Sequence, residues 1–262
     1  MNILETIKAK KIEEVAEKRA LYPIKLLEKS IFYESPAVSL KKYLNDPQRS
    51  GIIAEFKRKS PSKGFINTYA NAEEVCLGYM QAGAAALSVL TDENFFGAKK
   101  DDLLFARKLN FCPILRKDFI VDEYQIIEAK SMGADVILLI AKMLSPQQIR
   151  QFTELAQSLG MEVLLEIHNE TEINENRNAP CDLFGVNHRN LDTFEVNLAN
   201  SLNLIEKLPP KVPKIAESGI KSVEEVHLLK QNGFKGFLIG ELFIRHSNPA
   251  EKCRDFIKQL DL

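Results

Sequence analysis

The sequence lacks long apolar runs and has almost no net charge. Its 262 residues include 35 basic and 36 acidic side chains, so the formal net charge is −1. This balance gives no indication of nucleic acid or an anionic membrane surface as a partner. The longest apolar runs are far shorter than the roughly 20 residues that a membrane-spanning helix needs. The first residues include an acid at Glu5 and no apolar segment, unlike a secretory signal peptide.

Cysteine is also scarce. The chain has four cysteines, Cys76, Cys112, Cys181 and Cys253, and no two of them are close in sequence. Such wide spacing argues against a disulfide scaffold and against a zinc motif. We therefore expect four small core residues in a reducing compartment, and a cytoplasmic protein.

What the sequence has instead is an alternation of short apolar runs with helical patterns. Residues 2–45 show apolar side chains at helical spacing and no strand signal. From residue 52 the pattern changes to strand and then helix, repeated eight times. The predicted strands are 52–57, 85–90, 114–117, 136–140, 162–167, 183–187, 214–217 and 236–239. The predicted helices are 72–81, 100–108, 123–131, 145–159, 170–176, 198–207, 222–231 and 249–260.

This alternation predicts an α/β fold, a (β/α)8 TIM barrel with an N-terminal helical extension. The length agrees, because such barrels typically have about 250 residues. We expect a single domain over 1–262, in which 1–48 is the extension that packs on the barrel. Two small domains and an open doubly wound sheet are the alternatives. The open sheet usually has fewer strands, and no Gly-x-Gly-x-x-Gly motif follows the first strand to support it.

Several predicted strands end on polar side chains. Glu55 and Lys57 stand two residues apart at the end of the first strand, so they point into the same space. Burying a carboxylate beside an ammonium is costly unless they pair or bind a ligand. Similar residues end other strands: Lys117, Glu166, Asn187 and Glu217. Because the strand ends of a barrel converge on one rim, we predict an enzyme that transfers protons. A purely structural pairing of these charges is the alternative for any single residue.

Two loops after the last predicted strands have the composition of a phosphate site. Ser218 and Gly219 follow the seventh strand, and Gly240 and Glu241 follow the eighth. Glycine lets backbone N–H groups approach phosphate oxygens, and barrels of this kind often bind phosphate there. Either loop alone is equally consistent with a tight turn, but together they predict a phosphorylated ligand. Side chains after the first strand can add contacts: Lys57, Lys59 and Ser60. We expect Lys63 to lie in solvent.

Aromatic and histidine residues follow other strands. Phe95 and Phe96 are adjacent in the loop after the second strand, where they can cover a ligand or anchor the loop. His168 and His188 each follow a rim position, and with Glu166 they can in principle bind a metal. No close His-x-His pair or carboxylate cluster supports a metal site, so we expect ordinary hydrogen bonds from both histidines.

The motifs at these strand ends resemble those of the indole-3-glycerol-phosphate synthase family. Residues 53–64 read Ile-Ala-Glu-Phe-Lys-Arg-Lys-Ser-Pro-Ser-Lys-Gly. The matching segments are 3–19, 53–64, 115–120, 165–168, 185–191, 216–220 and 238–241. The first two are highly specific to the family, whereas the last two occur more widely among phosphate-binding barrels. The resemblance covers nearly the whole chain.

The resemblance implies a definite reaction. The family's substrate is 1-(2-carboxyphenylamino)-1-deoxyribulose 5-phosphate. The enzyme closes the pyrrole ring, releases carbon dioxide and then water, and so acts as a carbon–carbon lyase of tryptophan biosynthesis. The family needs no metal and no organic cofactor. Its N-terminal helix covers part of the rim and helps to close the pocket.

The resemblance also assigns roles to residues. Lys117 stands at the general-acid position, and Lys57 at the position that meets the anthranilate carboxylate or assists dehydration. Glu55 and Glu166 match the carboxylates that handle protons, although which is acid and which is base at each step stays open. Contacts to substrate hydroxyls and rings match Asn187, Glu217 and Ser218. The phosphate site matches Ser60, Gly219 and Gly240, with Glu241 contributing only its backbone; Arg189 is a further binding residue, and Phe95 or Phe96 covers the anthranilate ring.

The sequence departs from the family pattern at four positions. Ala98 and Lys99 stand where a second glycine and a serine are common, which affects the expected mobility of that loop. His188 and Asn190 replace, respectively, a common Asn or Ser and a common Asp. These changes touch the edge of the site only.

Two other functions are weaker alternatives. Another phosphate-binding barrel, such as phosphoribosylanthranilate isomerase or a sugar-phosphate epimerase, would lack the Glu55-x-Lys57 strand that precedes Ser60. A catalytically silent barrel that acts as an assembly partner would have no reason to keep both lysines and both carboxylates. We therefore expect a small phosphorylated substrate, no nucleic-acid or membrane partner, and a monomer with at most weak association with other tryptophan-pathway enzymes.

Overall fold

A computed structural model describes residues 3–189 and 195–260 of the chain. Asn190, one of the departures from the family pattern, lies outside the described residues. In chain order the elements are α1 (Ile3–Leu21), α2 (Ile24–Leu27), α3 (Leu40–Asn45), β1 (Ile52–Phe56), β2 (Lys59–Ser60), β3 (Gly64–Phe65), α4 (Ala72–Gln81), β4 (Ala86–Leu90), α5 (Glu93–Phe96), α6 (Asp102–Leu109), β5 (Ile114–Lys117), α7 (Glu123–Ser131), β6 (Val136–Ile140), a 3₁₀ turn (Ala141–Met143), α8 (Pro146–Ser158), β7 (Glu162–Ile167), α9 (Glu170–Asn176), β8 (Leu183–Asn187), α10 (Leu198–Ile205), β9 (Lys214–Glu217), α11 (Val223–Gln231), β10 (Gly236–Ile239), α12 (Glu241–Ile244) and α13 (Pro249–Lys258).

Eight of these strands close into a parallel barrel in the order β1-β10-β9-β8-β7-β6-β5-β4. Each strand pairs with its neighbours along the chain, and β1 closes the ring between β4 and β10. Helices connect successive strands and lie outside them, as the right-handed crossover of parallel strands requires. The prediction of a (β/α)8 TIM barrel with an N-terminal helical extension is confirmed.

Strand and helix bounds agree with the sequence pattern to within a few residues. The pattern missed the hairpin of β2 and β3, because a two-residue strand has no measurable periodicity. It also missed α5 and the 3₁₀ turn after β6, which are each a single turn long. The predicted cap at Ser145 is confirmed, since its hydroxyl accepts the Gln148 N–H and the Gln148 side chain reaches back.

The core lies inside the barrel and between the strands and the helices. Every residue of β4 and β6 is buried, as expected for parallel strands covered on both faces. All four cysteines are buried and free, in agreement with their scattered spacing. No helix within 3–189 and 195–260 is long and apolar enough to cross a membrane.

Helix α1 is docked on the barrel rim by both apolar and charged contacts. Leu4, Ile7 and Val15 are buried on its inner face. Lys11 is also buried, and its Nζ lies 2.7 Å from a carboxylate oxygen of Asp92 and 3.1 Å from one of Asp118. Helical spacing puts Lys11 on the same face as Leu4, Ile7 and Val15, so the face that docks on the barrel carries a charge.

Candidate active site

A cavity of about 530 Å³ opens at the carboxyl ends of the barrel strands. It is lined by all six residues predicted to be catalytic: Glu55, Lys57, Lys117, Glu166, Asn187 and Glu217. They come from five strands or strand ends, and the barrel register sets them at similar heights. Asn187, for example, pairs directly with Glu217 across β8 and β9. The barrel therefore brings together groups that are far apart in the sequence.

Lys117 lies between two carboxylates. Its Nζ is 2.7 Å from Oε2 of Glu166 and 2.7 Å from Oε2 of Glu217. Burial works to lower the pKa of Lys117, but the negative charges of Glu166 and Glu217 outweigh it and leave the pKa raised. Lys117 is thus an ammonium at neutral pH, aimed into the cavity with a proton to donate.

The two carboxylates beside Lys117 have different proton affinities. Burial raises the pKa of Glu217 to about 7, even though Lys117 opposes the shift. Burial also acts on Glu166, but Lys117 and His168 more than offset it and hold its pKa well below the usual range. One group is therefore ionised at neutral pH and the other titrates there. Environments that push two carboxyl pKa values apart are what acid–base catalysis requires.

Glu55 and Lys57 form a second pair at the end of β1, two strands away from Lys117 in the barrel. The Lys57 ammonium donates to Oε1 of Glu55 at 2.5 Å, and Glu55 is only 4% exposed. Gly240 leaves room for this carboxylate, because a Cβ at Gly240 would lie 2.6 Å from Oε1 of Glu55. The glycine after β10 therefore makes room for the Glu55 carboxylate.

Asn187 connects the rim residues to one another. Its side-chain amide donates to Oε1 of Glu166 at 3.1 Å, and its side-chain oxygen accepts the backbone N–H of Arg189 at 3.0 Å. The same carboxylate oxygen of Glu166 lies 3.2 Å from Nε2 of His168. Glu166 is thus contacted by three side chains, which fix its position in the cavity.

The residues predicted to bind substrate or phosphate after β1, β8, β9 and β10 also line the cavity: Ser60, Arg189, Ser218, Gly219, Gly240 and Glu241. Ser218 has φ +70°, a conformation that only this non-glycine residue adopts among those described, and Gly219 follows with φ +76°. Backbone strain of this kind is typical of ligand-binding turns. The buried hydroxyl of Ser60 has no hydrogen-bond partner in the described part of the chain.

Lys63 is exposed, as expected, but its Nζ lies 2.5 Å from the Glu241 carboxylate. The loop after β1 therefore reaches across the mouth of the cavity to the first turn of α12. Sequence spacing gives no signal for this contact, because the two residues are 178 positions apart.

Of the two adjacent phenylalanines, Phe96 lines the cavity and Phe95 does not. Phe95 is partly buried against the core, and its N–H is capped by Asp92. Phe119 faces Phe96 with the ring centroids 6.0 Å apart, so the two rings form one aromatic wall. Sequence reasoning did not assign Phe119 to the site, although it stands two residues after Lys117 in a motif of the family. It also did not assign the apolar side chains that α1 contributes, Ile3, Leu4 and Ile7.

The histidines make hydrogen-bonding contacts within the barrel rim. Nδ1 of His188 lies 2.8 Å from the Ser218 carbonyl oxygen, and the ring packs edge-on against Phe234. His168 lies between Glu166 and Glu172. Over residues 3–189 and 195–260 there is no group of three or more His, Cys, Asp or Glu side chains arranged to hold a metal ion.

The fold and the site define a class of protein: a TIM-barrel enzyme with acid–base groups at the rim of its cavity. The family model described as "Indole-3-glycerol phosphate synthase" matches residues 4–256. The chain belongs to this family.

Two relatives named "Indole-3-glycerol phosphate synthase" illustrate the similarity. The protein from Bacteroides thetaiotaomicron is 45% identical over 259 residues, which cover 99% of each chain. The protein from Neisseria gonorrhoeae is 43% identical over 250 residues, covering 93% of this chain and 95% of its own.

Solved structures with lower identity show the same fold. Thiamine phosphate pyrophosphorylase from Pyrococcus furiosus superimposes with a TM-score of 0.61 at 15% identity, over 85% of this chain and 99% of its own. Tryptophan synthase subunit alpha from Legionella pneumophila has a TM-score of 0.59 at 14% identity, over 84% of this chain and 96% of its own. At this identity the likeness concerns the barrel alone.

Proposed function

We propose that the cavity binds 1-(2-carboxyphenylamino)-1-deoxyribulose 5-phosphate and converts it into indole-3-glycerol phosphate. The chain is a decarboxylating carbon–carbon lyase of tryptophan biosynthesis, as its family membership implies. The observation that carries the proposal is the placement of the Lys117 ammonium 2.7 Å from a carboxylate oxygen of Glu166 and 2.7 Å from one of Glu217. Ring closure needs a proton donor at the substrate carbonyl, and dehydration needs an acid and a base together.

We assign the ring-closure proton to Lys117. Its ammonium is held at the centre of the rim, and it can reload from Glu217, whose pKa of about 7 lets it exchange protons at neutral pH. Glu166 is held ionised and suits the role of base in the later steps. Lys57 and Glu55 form a second acid–base pair, placed to meet the anthranilate carboxylate or to assist loss of water.

The two ends of the cavity support one orientation of the substrate. The phosphate is expected at Ser60, Gly219 and Gly240, where backbone N–H groups and a buried hydroxyl are available. The anthranilate ring is expected against Phe96 and Phe119. This orientation places the reacting carbons between the phosphate site and the aromatic wall, beside Lys117.

We also propose that the chain works as a monomer in the cytoplasm, as one domain over 1–262, with only weak association with other enzymes of its pathway. Four buried free cysteines suit a reducing compartment. Light scattering on the purified protein measures the mass, and a stable dimer would contradict this part of the proposal.

The first test is turnover of the carboxyphenylamino-deoxyribulose phosphate with EDTA present, followed by the fluorescence of the indole product. The chain contains no tryptophan, so the protein contributes little background in that spectral range. We expect turnover without metal, and at least a 100-fold lower rate in Lys117→Met, since positioned proton transfer contributes about 10²–10⁴-fold.

The matched control is Lys211→Met. Lys211 is exposed and precedes β9, at the opposite end of the barrel from the cavity. The Lys211→Met variant should retain the full rate. If folded wild-type protein shows no turnover, the proposed activity is wrong and a silent barrel becomes the better explanation. If Lys117→Met turns over at the wild-type rate, only the role of Lys117 fails.

A further inference from the structure

Glu166 is distinguished from Glu217 by a partner that lies outside the cavity. Both carboxylates contact Lys117, but only Glu166 also meets an imidazole, since Nε2 of His168 lies 3.2 Å from its Oε1. His168 does not line the cavity. It therefore acts on the reaction only through Glu166, from the side of the barrel where β7 leads into α9.

The His168 ring is held from its other side by Glu172. Oε2 of Glu172 lies 3.3 Å from Nδ1 of His168 and accepts the His168 backbone N–H at 2.7 Å. Oε1 of the same carboxylate accepts from the Asn169 side chain at 2.7 Å. Asn169 in turn caps α9 by accepting the Glu172 backbone N–H. The start of α9 therefore fixes both the carboxylate and the ring.

Both nitrogens of the His168 ring thus face carboxylate oxygens. Nδ1 makes a hydrogen-bonding contact with Glu172, whereas Nε2 lies at ion-pair distance from Glu166 without hydrogen-bond geometry. A neutral ring would place a lone pair on one nitrogen beside a negative oxygen. An imidazolium instead donates to Glu172 from Nδ1 and sets its positive charge beside Oε1 of Glu166. Burial disfavours the charge, but the contacts with Glu166 and Glu172 overcome it and raise the pKa of His168 to about 9.

We propose that His168 is a positioning residue that, as an imidazolium oriented by Glu172, holds Glu166 ionised and fixed against Lys117 and Asn187. Its catalytic consequence rests on the proposed function, whereas the Glu172–His168–Glu166 arrangement does not. With His168 in place, Glu166 stays a base across neutral pH and leaves Glu217 as the carboxyl that exchanges protons with Lys117. Without it, the two carboxyls compete for the same proton.

Among the described residues, the other charged groups near Glu172, His168 and Glu166 do not take the place of His168 as a partner of Glu166. Glu166 faces Lys117 from β5, and Glu217 from β9 shares that ammonium. On α9 itself, Glu170 pairs at the surface with Lys207. Lys142, on the 3₁₀ turn packed against β7 and α9, is exposed. Lys117 is already divided between two carboxylates, and among the residues described His168 is the second cation that lies beside Glu166.

Nitrogen NMR of the imidazole rings tests the arrangement without any substrate. The chain has only four histidines, so each ring can be assigned by single substitution. We expect the signal lost in His168→Gln to be doubly protonated at pH 7 and to titrate near pH 9. Glu172→Gln should lower that midpoint by about one pH unit, because it removes a charge but keeps an acceptor oxygen.

Glu170→Gln is the matched control for the NMR experiment. It removes the same charge from the same helix two residues away, at a side chain that is 55% exposed. It should leave the His168 midpoint unchanged. The proposal is overturned if the His168 ring is neutral at pH 7, or if Glu172→Gln and Glu170→Gln shift it equally.

Steady-state kinetics test the consequence for catalysis. In His168→Gln we expect the acidic limb of the kcat–pH profile to move up by about one pH unit, which is about a tenfold fall in kcat at pH values below that limb, with KM nearly constant. Glu172→Gln should act in the same direction, and the double variant should be no worse than His168→Gln, since both act through one ring.

A purely structural role would lower kcat equally at every pH, or lower only the amount of folded enzyme. Either result, or an unshifted limb, refutes the positioning role while wild-type turnover still supports the proposed function. If the wild type itself does not turn over, the proposed function fails and the NMR titration alone decides whether the imidazolium exists.

Discussion

Replacing Lys11 by methionine should destabilise the protein and loosen α1 from the barrel rim. The Lys11 side chain is 5% exposed, and its Nζ lies 2.8 Å from Glu14, 2.7 Å from Asp92 and 3.1 Å from Asp118. Methionine has a similar volume, so the change removes the charge and leaves little cavity. What remains is a pair of buried carboxylates without their shared cation.

The magnitude depends on which partners those carboxylates retain. Asp118 keeps the Arg116 guanidinium at 3.0 Å and the Thr91 hydroxyl at 2.6 Å, so its negative charge stays largely compensated when Lys11 is removed. Asp92 is fully buried, and within residues 3–189 and 195–260 its side chain keeps one hydrogen bond, from the Phe95 backbone N–H at 2.6 Å. Removing one partner of a buried ion pair typically costs about 3–5 kcal/mol. We expect roughly 3 kcal/mol here, because Asp118 remains compensated and α1 can move away to let water reach Asp92.

The assay is urea unfolding of Lys11→Met beside Lys10→Met. Lys10 is the neighbouring residue on the same helix, but its side chain is 49% exposed and pairs with the exposed Glu13, so its replacement should cause no measurable change. Hydrogen exchange should show faster exchange of α1 amides in Lys11→Met alone. KM should also rise, since Ile3, Leu4 and Ile7 of α1 line the cavity.

A compensating substitution separates charge from packing. Asp92→Asn keeps an oxygen that can cap Phe95 but removes the charge, so it should recover part of the stability lost in Lys11→Met. The reasoning would be refuted if Lys11→Met and Lys10→Met unfold at the same urea concentration with the same slope. It would also be refuted if Asp92→Asn gave no recovery.

Two further predictions concern Glu217. In Gly185→Ala the new Cβ would lie 2.0 Å from Oε1 of Glu217, so the carboxylate must leave Lys117 and kcat should fall at least about tenfold; an unchanged kcat would contradict this. The pKa of Glu217 is raised from 4.5 to about 7 in the folded protein, so folding takes up a proton between these values. Its contribution to the free energy of unfolding therefore decreases as pH rises from about 4.5 to 7. Glu217→Gln should lack this pH dependence in urea unfolding at pH 5 and pH 8, and an identical dependence in both proteins would show that Glu217 is not the group responsible.

The architecture was predictable from the sequence because its determinants are local. Apolar runs such as 136–140, which are buried on both faces, alternate with helical patterns closed by caps such as Ser145. Alternation along a strand also predicted that Glu55 and Lys57 share one face. The Lys57 Nζ lies 2.5 Å from Oε1 of Glu55. These are relations between neighbours in the chain, which the backbone period alone determines.

The arrangement of the site was only partly predictable. The sequence indicated that Lys117, Glu166 and Glu217 end strands, but the Lys117 contacts span 49 and 100 residues. Neither the choice of Phe96 over Phe95 nor the contact between Lys63 and Glu241 has a local signal. Each depends on how the loops close over the barrel.

The sequence by itself determined the barrel, the rim on which the polar residues stand and the family to which they point, because periodicity and motif spacing are local properties. The tertiary structure decided which charges meet. It placed Lys11 in a buried ion cluster, set His168 between two carboxylates and gave Glu166 and Glu217 opposite pKa shifts. Burial and charge proximity are properties of the folded molecule, because they arise from residues that only closure of the barrel brings together.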